Sequence, residues 1–416
     1  MFTALLRRSA SCQEILRPPL NEVTAPAQVT DSAEFLSSIL CDTEITTHWR
    51  SIGSWEAGRH TVRGASSGPP SQCQIHRHIL NPSPLASSAS LISVKMFSEG
   101  LLKSALAVLG SLTSVWLAYQ IASFLHIHFI HRSTLSRYQD SRRNQRPWAL
   151  VTGSSDGIGK GFAEELCERG FNVVVHGRNR TKLQGVADDL KKRWPGASVR
   201  TAVLDAYPIT EKALDDMIAS LNDLPITVLV NNVGGLGPIS PIFRQLNALS
   251  YENISTLIAI NLDFPVTLTA KLLPLLRTRQ PALIMNVGSF TGGLQSPYLS
   301  VYAGTKAYIE SWSRSLACEM KAEGDNIEVL GLIVGEVQAS WNPEVPTSFT
   351  RCSSRRLATD ALDKVGCGRR IVTPYIGHDL PGYAVKLMPE WMADMILIGI
   401  AKKMKEDDEK IAAKKA

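Results

Sequence analysis

The sequence predicts an α/β fold: a Rossmann-type, doubly wound parallel sheet with helices on both faces, preceded by a transmembrane helix. Three observations lead there. Short apolar runs alternate with longer amphipathic stretches from Trp148 to about Pro374, and that alternation builds a parallel sheet covered on both faces. A glycine cluster separates the first apolar run from the first amphipathic stretch, a crossover at which such sheets bind ligands. An uninterrupted apolar segment precedes them both.

Taken in order, residues 1–95 are rich in serine and proline and show no sustained period. Such a segment buries too little apolar surface to offset the entropy of ordering it, so it is expected to be a disordered or spurious N-terminal extension. Two readings stay open: a targeting arm, from Arg7, Arg8 and Arg17 among serines, or an upstream reading ahead of a start at Met96. Residues 104–130 then carry no acidic or basic side chain other than His126 and His128. A helix crossing hydrocarbon needs ~20 apolar residues. A core helix rarely stays apolar on every face for so long, so this stretch is expected to be a membrane anchor. After it come His131, Arg132, Arg137, Arg142, Arg143 and Arg146 against Asp140; before it stand Lys95 and Lys103. The positive-inside rule puts the C-terminal side in the cytosol.

Strands are expected at 148–152, 171–175, 199–204, 227–230, 282–287 and 327–333, as buried parallel strands read as continuous apolar runs. Helices are expected near 157–169, 180–193, 211–221, 250–278 and 301–322, giving one domain over 147–385. Residues 386–416 form an amphipathic, charged tail. Its apolar patch Trp391–Ala401 is short for a span, and either lies in the membrane interface or packs on the domain. Across 416 residues, 44 lysines and arginines against 38 aspartates and glutamates leave a charge of +6, too thin to imply nucleic acid. The seven cysteines include no C-x-x-C pair, so no metal site or disulfide framework is expected.

The turn Thr152–Gly159 follows the first strand directly. Gly153 permits the tight turn, while Gly157 and Gly159 let backbone approach a pyrophosphate at a positive helix N-terminus. Gly153, Ser154, Ser155, Asp156, Gly157, Ile158 and Gly159 are therefore candidate cofactor contacts. At the end of the second strand, where an acid would grip a ribose 2′-hydroxyl, the chain reads His176-Gly-Arg-Asn-Arg180 and no acid occurs between Phe171 and Val186. A guanidinium forks onto phosphate oxygens. NADP(H) is the expected cofactor, with Arg178 as main contact and Asn179 beside it.

Tyr302 and Lys306 are four apart and share a helical face. A free tyrosine, with a pKa of ~10, is a poor donor at neutral pH; a nearby ammonium is expected to bring it toward working range. Ser289 follows a strand and can hold a carbonyl that Tyr302 protonates. Asn261 can order a water linking Lys306 to solvent.

Thr152–Gly159, Asn231-Asn-Val-Gly234, Asn261, Ser289, Tyr302 and Lys306 together resemble the short-chain dehydrogenase/reductases over residues 147–385. The resemblance implies a glycine-rich cofactor turn, a strand-stabilising Asn motif including Asn232, and an Asn–Ser–Tyr–Lys tetrad. It also implies that Asp205 meets the adenine ring, and that a hydride passes between a nicotinamide and a carbonyl or alcohol. The leading membrane segment, the valine in Asn231–Gly234, Ser155–Lys160 and Thr373–His378 are most similar to membrane-anchored very-long-chain 3-oxoacyl-CoA reductases and to type 3 and type 12 17β-hydroxysteroid dehydrogenases. That implies an enzyme of the endoplasmic reticulum membrane facing the cytosol, reducing a long-chain 3-oxoacyl-CoA or, alternatively, oxidising or reducing a steroid. A second copy or an elongation-complex component is the protein partner it leaves open. A membrane-tethered, non-catalytic nucleotide-binding scaffold is the reading of another class, opposed by the complete tetrad. Val334-Gly-Glu-Val-Gln-Ala339 departs from the family pattern: Ala339 lacks the hydroxyl that meets the nicotinamide, which Ser340 can offer instead, and Val337 keeps its backbone contacts. Residues 336–380 are expected to form a substrate lid. Its Arg351, Arg355, Arg356, Arg369 and Arg370 either meet coenzyme A phosphates or are ordinary surface charges.

Overall fold

A computed structural model describes residues 84–139, 145–237, 239–338 and 346–415. The targeting-arm reading and Met96 as a start turn on residues 1–83, which lie outside that set, as do Arg142, Arg143, Ala339 and Ser340. Six of the strands are β1 (Trp148–Val151), β2 (Asn172–Gly177), β3 (Val199–Val203), β4 (Ile226–Asn231), β5 (Ala282–Val287) and β6 (Ile327–Leu332). A short strand, Ile371–Val372, joins them at the edge beyond β6. Spatial order is β3-β2-β1-β4-β5-β6 and then this edge strand, every pair parallel. The order reverses between β1 and β4, the switch point that opens a crevice beyond the strand ends.

Successive strand residues feed opposite cores, as a two-residue period requires. Val173 and Val175 join Phe162, Leu166 and Leu183 on one face, while Val174 joins Leu214, Phe264, Leu268 and Leu272 on the other. The first face is covered by α2 (Gly157–Glu168), α3 (Arg180–Arg193) and α8 (Ser354–Asp363); the second by α4 (Glu211–Ala219), α6 (Phe264–Thr278) and α7 (Ser300–Ala322). Each buried leucine or phenylalanine contributes about 1.5–3 kcal/mol, so the sheet is held mainly by these two apolar layers.

Three differences from the expected elements have physical causes. The long apolar helix, α1 (Pro84–Leu125), starts earlier than the apolar run and continues as a π turn over His126–Ile130. The stretch 250–278 is not one helix: α5 (Tyr251–Ile258) and α6 are separated by a π turn, Ala259–Asp263. Pro265 has no N–H to close the usual bond four residues back, and Phe264 N–H reaches Ala259 O instead. The stretch 336–380, expected as a substrate lid, carries regular structure where it is described. β7 (Glu336–Gln338) and β8 (Arg351–Ser353) pair in parallel, and α8 packs on α2 through buried Leu357, Ala358, Ala361 and Leu362.

Glu99–Ile130 is long and apolar enough to cross a membrane, and its apolar window is not buried by the domain. Tyr251–Thr278 passes the same length test but lies largely in the core. Only the end of the first segment docks: Ile127 is buried, Lys364 Nζ donates to Ile127 O at 2.9 Å, and His128 Nε2 meets Asp379 at 2.8 Å. With the edge strand named β9 (Ile371–Val372), the chain ends in α9 (Ile376–Leu387) and α10 (Glu390–Lys415). α10 buries Ala393 and Ala401 but leaves Trp391, Met395 and Ile400 exposed.

Candidate active site

The glycine turn is built by two left-handed residues, Gly153 (φ +63) and Gly157 (φ +56), a conformation that disfavours any Cβ. Asp156 caps α2, its carboxylate accepting from Gly157 N–H at 2.6 Å. Ser154 is buried, its hydroxyl donating to Val151 O at 2.9 Å, and Ile158 packs against the core. Ser155 lies against Gly177. At Gly159 a Cβ would sit 2.3 Å from Gly153 O, so its smallness also lets turn and helix meet. Thr152 and Asn232 brace the turn. Thr152 Oγ1 accepts from Asn232 and Val233 N–H at 2.9 and 3.0 Å, and Asn232 Nδ2 donates to Thr152 O and Gly153 O at 3.0 and 3.2 Å.

At the end of β2, Arg178 is exposed, whereas the Asn179 side chain caps α3 by accepting from Lys182 N–H at 2.9 Å. One of that oxygen's two lone pairs is thus used within the chain. Asp205 accepts weakly from Tyr207 N–H at 3.3 Å, and Val337 pairs with Cys352 across β7 and β8. Of the five arginines between 336 and 380, Arg351 pairs with Glu336, Arg355 with Glu165 and Glu168, and Arg356 with Asp360. Arg369 reaches the Ser123 hydroxyl. These contacts favour the surface-charge reading for the first three.

Asn261, Ser289, Tyr302 and Lys306 converge beyond the carboxyl ends of β4 and β5. Ser289 lies beside Tyr302, close enough to oppose the effect of burial on its phenol, and receives the Thr291 hydroxyl at 3.1 Å. Lys306 Nζ donates to Val287 O at 3.2 Å and stands 5.5 Å from the Tyr302 ring centre. Asn261 sits in the π turn, where Nδ2 donates to Gly235 O and Leu257 O at 2.8 and 2.9 Å and Oδ1 accepts from Gly235 N–H at 2.9 Å. Both amide hydrogens are therefore spent on protein, leaving only an Oδ1 lone pair for a water. The expected lowering of the tyrosine does not occur in this arrangement. Burial pushes Tyr302 up to about 12, and Ser289 rather than Lys306 opposes it. Lys306 is itself buried, which brings it down to about 8.

Residues 147–348 match the short chain dehydrogenase family. A very-long-chain 3-oxoacyl-CoA reductase of Pyricularia oryzae is 30% identical over 330 residues, covering 75% of this chain and 93% of that protein. The chain belongs to the short-chain dehydrogenase family. Other relatives of that printed name include one from Schizosaccharomyces pombe, 31% identical with 72% of this chain and 86% of its own covered. A Caenorhabditis elegans reductase of the same kind is 32% identical over 64% and 83%. A solved 7β-hydroxysteroid dehydrogenase shares the fold at TM-score 0.54 and 20% identity, covering 62% of this chain and 98% of its own. As a short-chain dehydrogenase, the protein is an oxidoreductase.

Two histidines of this short-chain dehydrogenase escaped sequence reasoning. His176 lies buried beneath the turn, stacked 5.2 Å from Phe264, where burial brings it down to about 4 and so keeps it neutral. His378 accepts from Gly335 N–H at 3.2 Å and donates through Nε2 to Glu336 O at 3.0 Å, which fixes its tautomer. It thereby pins the segment after β6 to α9. Its only signal was a position in the Thr373–His378 run, which carried no assigned role. A third feature, the buried relay Asn231–Asn286–Ser313 at 2.8 and 2.9 Å, ties β4 and β5 to α7.

Proposed function

We propose that the protein is an NADPH-dependent ketoreductase for long- or very-long-chain 3-oxoacyl-CoA, anchored in the endoplasmic reticulum membrane with its domain in the cytosol. The observation that carries the reaction is the meeting of Ser289 and Tyr302 with buried Lys306, whose Nζ stands 5.5 Å from the Tyr302 ring centre, at the sheet ends beside the glycine turn. Ser289 orients the substrate carbonyl and Tyr302 gives its proton to the carbonyl oxygen. Lys306, held at Val287 O and close to Gly234 and Asn261, supplies the proton that reloads Tyr302. NADPH, when bound, supplies the hydride to the carbonyl carbon.

The fit to that cofactor rests on the left-handed glycines at the α2 N-terminus, which leave a cradle no Cβ fills, and on exposed Arg178 with no acid nearby in sequence. The substrate class is supported by the printed names of relatives that align over most of their length. An unburied apolar helix just ahead of the domain suits a substrate carried in a bilayer.

The test is cofactor oxidation by purified protein with NADPH and a panel of 3-oxoacyl-CoAs and ketosteroids at saturating concentration. Turnover of long-chain 3-oxoacyl-CoA is expected, and the Tyr302→Phe variant should lose about 10²–10⁴-fold in kcat. Tight NADPH binding with no turnover of any substrate would overturn the enzyme reading, and preference for ketosteroids the substrate. Protease protection of residues 148–401 in sealed microsomes would overturn the orientation.

A further inference from the structure

A cavity of about 190 Å³ lies where the anchor helix meets the domain; no tetrad residue lines it, though Phe290, next to Ser289, does. Phe124 and Ile127 form part of its wall, and Arg314 of α7, Lys386 of α9 and Arg369 ahead of β9 reach it from three different elements. Among the described residues, none of these three cations makes an ion pair with a carboxylate. Asp379, the acid in the lining, is engaged by His128 at 2.8 Å. Glu310, one turn before Arg314, is half-buried, with Oε1 lacking a hydrogen-bond partner among the described residues. Burial raises its carboxyl while the nearby Arg314 and Lys386 pull it down, so this one carboxyl faces two of the three cations.

The cavity has one apolar wall continuous with a helix built for hydrocarbon, and a cationic rim at the level where that helix leaves it. Guanidinium groups fork onto phosphate oxygens, and basic pockets beside membrane helices suit anionic headgroups. We propose that this cavity is a headgroup site for an anionic phospholipid. Arg314, Arg369 and Lys386 hold the phosphate, and the acyl chains lie along the anchor from Phe124 toward Ile121. The inference rests on reading α1 as a membrane anchor, and not on the substrate assignment.

Free phosphate or coenzyme A would offer similar oxygens, so the test separates the sources. Full-length protein in a maltoside detergent is titrated calorimetrically with dioctanoyl phosphatidic acid, dioctanoyl phosphatidylcholine, inorganic phosphate and coenzyme A. Saturable one-site binding of phosphatidic acid is expected, at least tenfold tighter than the other three. The Arg314→Gln/Lys386→Gln variant should weaken it at least tenfold, whereas Lys191→Gln/Lys192→Gln on the remote face of α3 should not. Unfolding midpoints report that both variants fold. Equal binding of phosphatidylcholine, or phosphatidic acid binding that survives the cavity variant, overturns the site. Phosphate or coenzyme A binding as tightly as phosphatidic acid overturns the lipid assignment. NADPH oxidation measured on the same samples reports separately on the reductase reading.

Discussion

Burial pushes Tyr302 up to about 12 and brings Lys306 down to about 8, so the two groups titrate in separate ranges. Tyr302 therefore stays protonated throughout the working range, ready to donate, and Lys306 is the group that changes charge near neutrality. Below pH 8 Lys306 is an ammonium able to reload the phenol; above it the proton is gone. The kcat for carbonyl reduction should fall as pH rises through about 8, read from a profile between pH 6 and 10. Lys306→Arg, always charged, should abolish that limb at a reduced plateau rate; a limb that stays in place would assign it elsewhere. His378 works at one remove, through the backbone at Gly335 and Glu336. His378→Ala should raise KM for NADPH by about tenfold, the equivalent of roughly 1.4 kcal/mol, with a smaller effect on kcat. His378→Gln, which keeps an acceptor and a donor, should recover part of the loss. A variant that lowers kcat and leaves KM unchanged would rule out the positioning role.

At the scale of elements, close packing of α2 on α8 depends on Gly161, where an added Cβ would lie 2.5 Å from Ser354 O. Alanine gains about 1 kcal/mol of helix propensity over glycine, but overpacking against backbone costs about 1–3 kcal/mol. Gly161→Ala should thus destabilise the domain, while Gly185→Ala on the open face of α3, with nothing within 4 Å, should stabilise it. Denaturant midpoints moving in opposite directions check this pair. The sequence made the six long strands and the crossover helices legible because most of these strands are apolar on both faces, β3 with its Arg200 excepted. It also made the glycine turn and the tetrad positions legible, since their spacing follows those strands. What it hid depends on contacts distant in sequence. The two-residue strand β9 has no period to detect, and the packing of α8 is invisible because its partner α2 lies nearly 200 residues earlier. The π turn at Asn261 was hidden inside one amphipathic stretch, although Pro265 marked where the helix had to loosen.

For the whole molecule, residues 126–138 fix how α1 leaves the domain, because they are sewn to it. Lys364 Nζ holds Ile127 O, His131 meets Val365 O at 3.0 Å, and Ser133 donates to Leu362 O. Tyr138 is buried, donates to Glu328, and its carbonyl receives the Thr227 hydroxyl at 2.9 Å. A junction with this many bonds holds α1 at a fixed angle to the domain and is no flexible linker. The buried Lys364 ammonium and the Asp379 carboxylate are its polar fasteners, the second paired with His128. Removing one partner of a buried polar contact leaves the other unsatisfied, at about 1–3 kcal/mol each. Lys364→Met combined with Asp379→Asn should therefore open the junction locally while β1 to β6 stay folded. Trypsin acting on protein in nanodiscs should then cut after Arg132 and Arg137 at least tenfold faster than in the unmodified chain, with NADPH binding to the domain retained. Equal cleavage rates would mean that the junction is held by its apolar residues Ile127, Leu135 and Tyr138, and that the polar fasteners contribute orientation without strength.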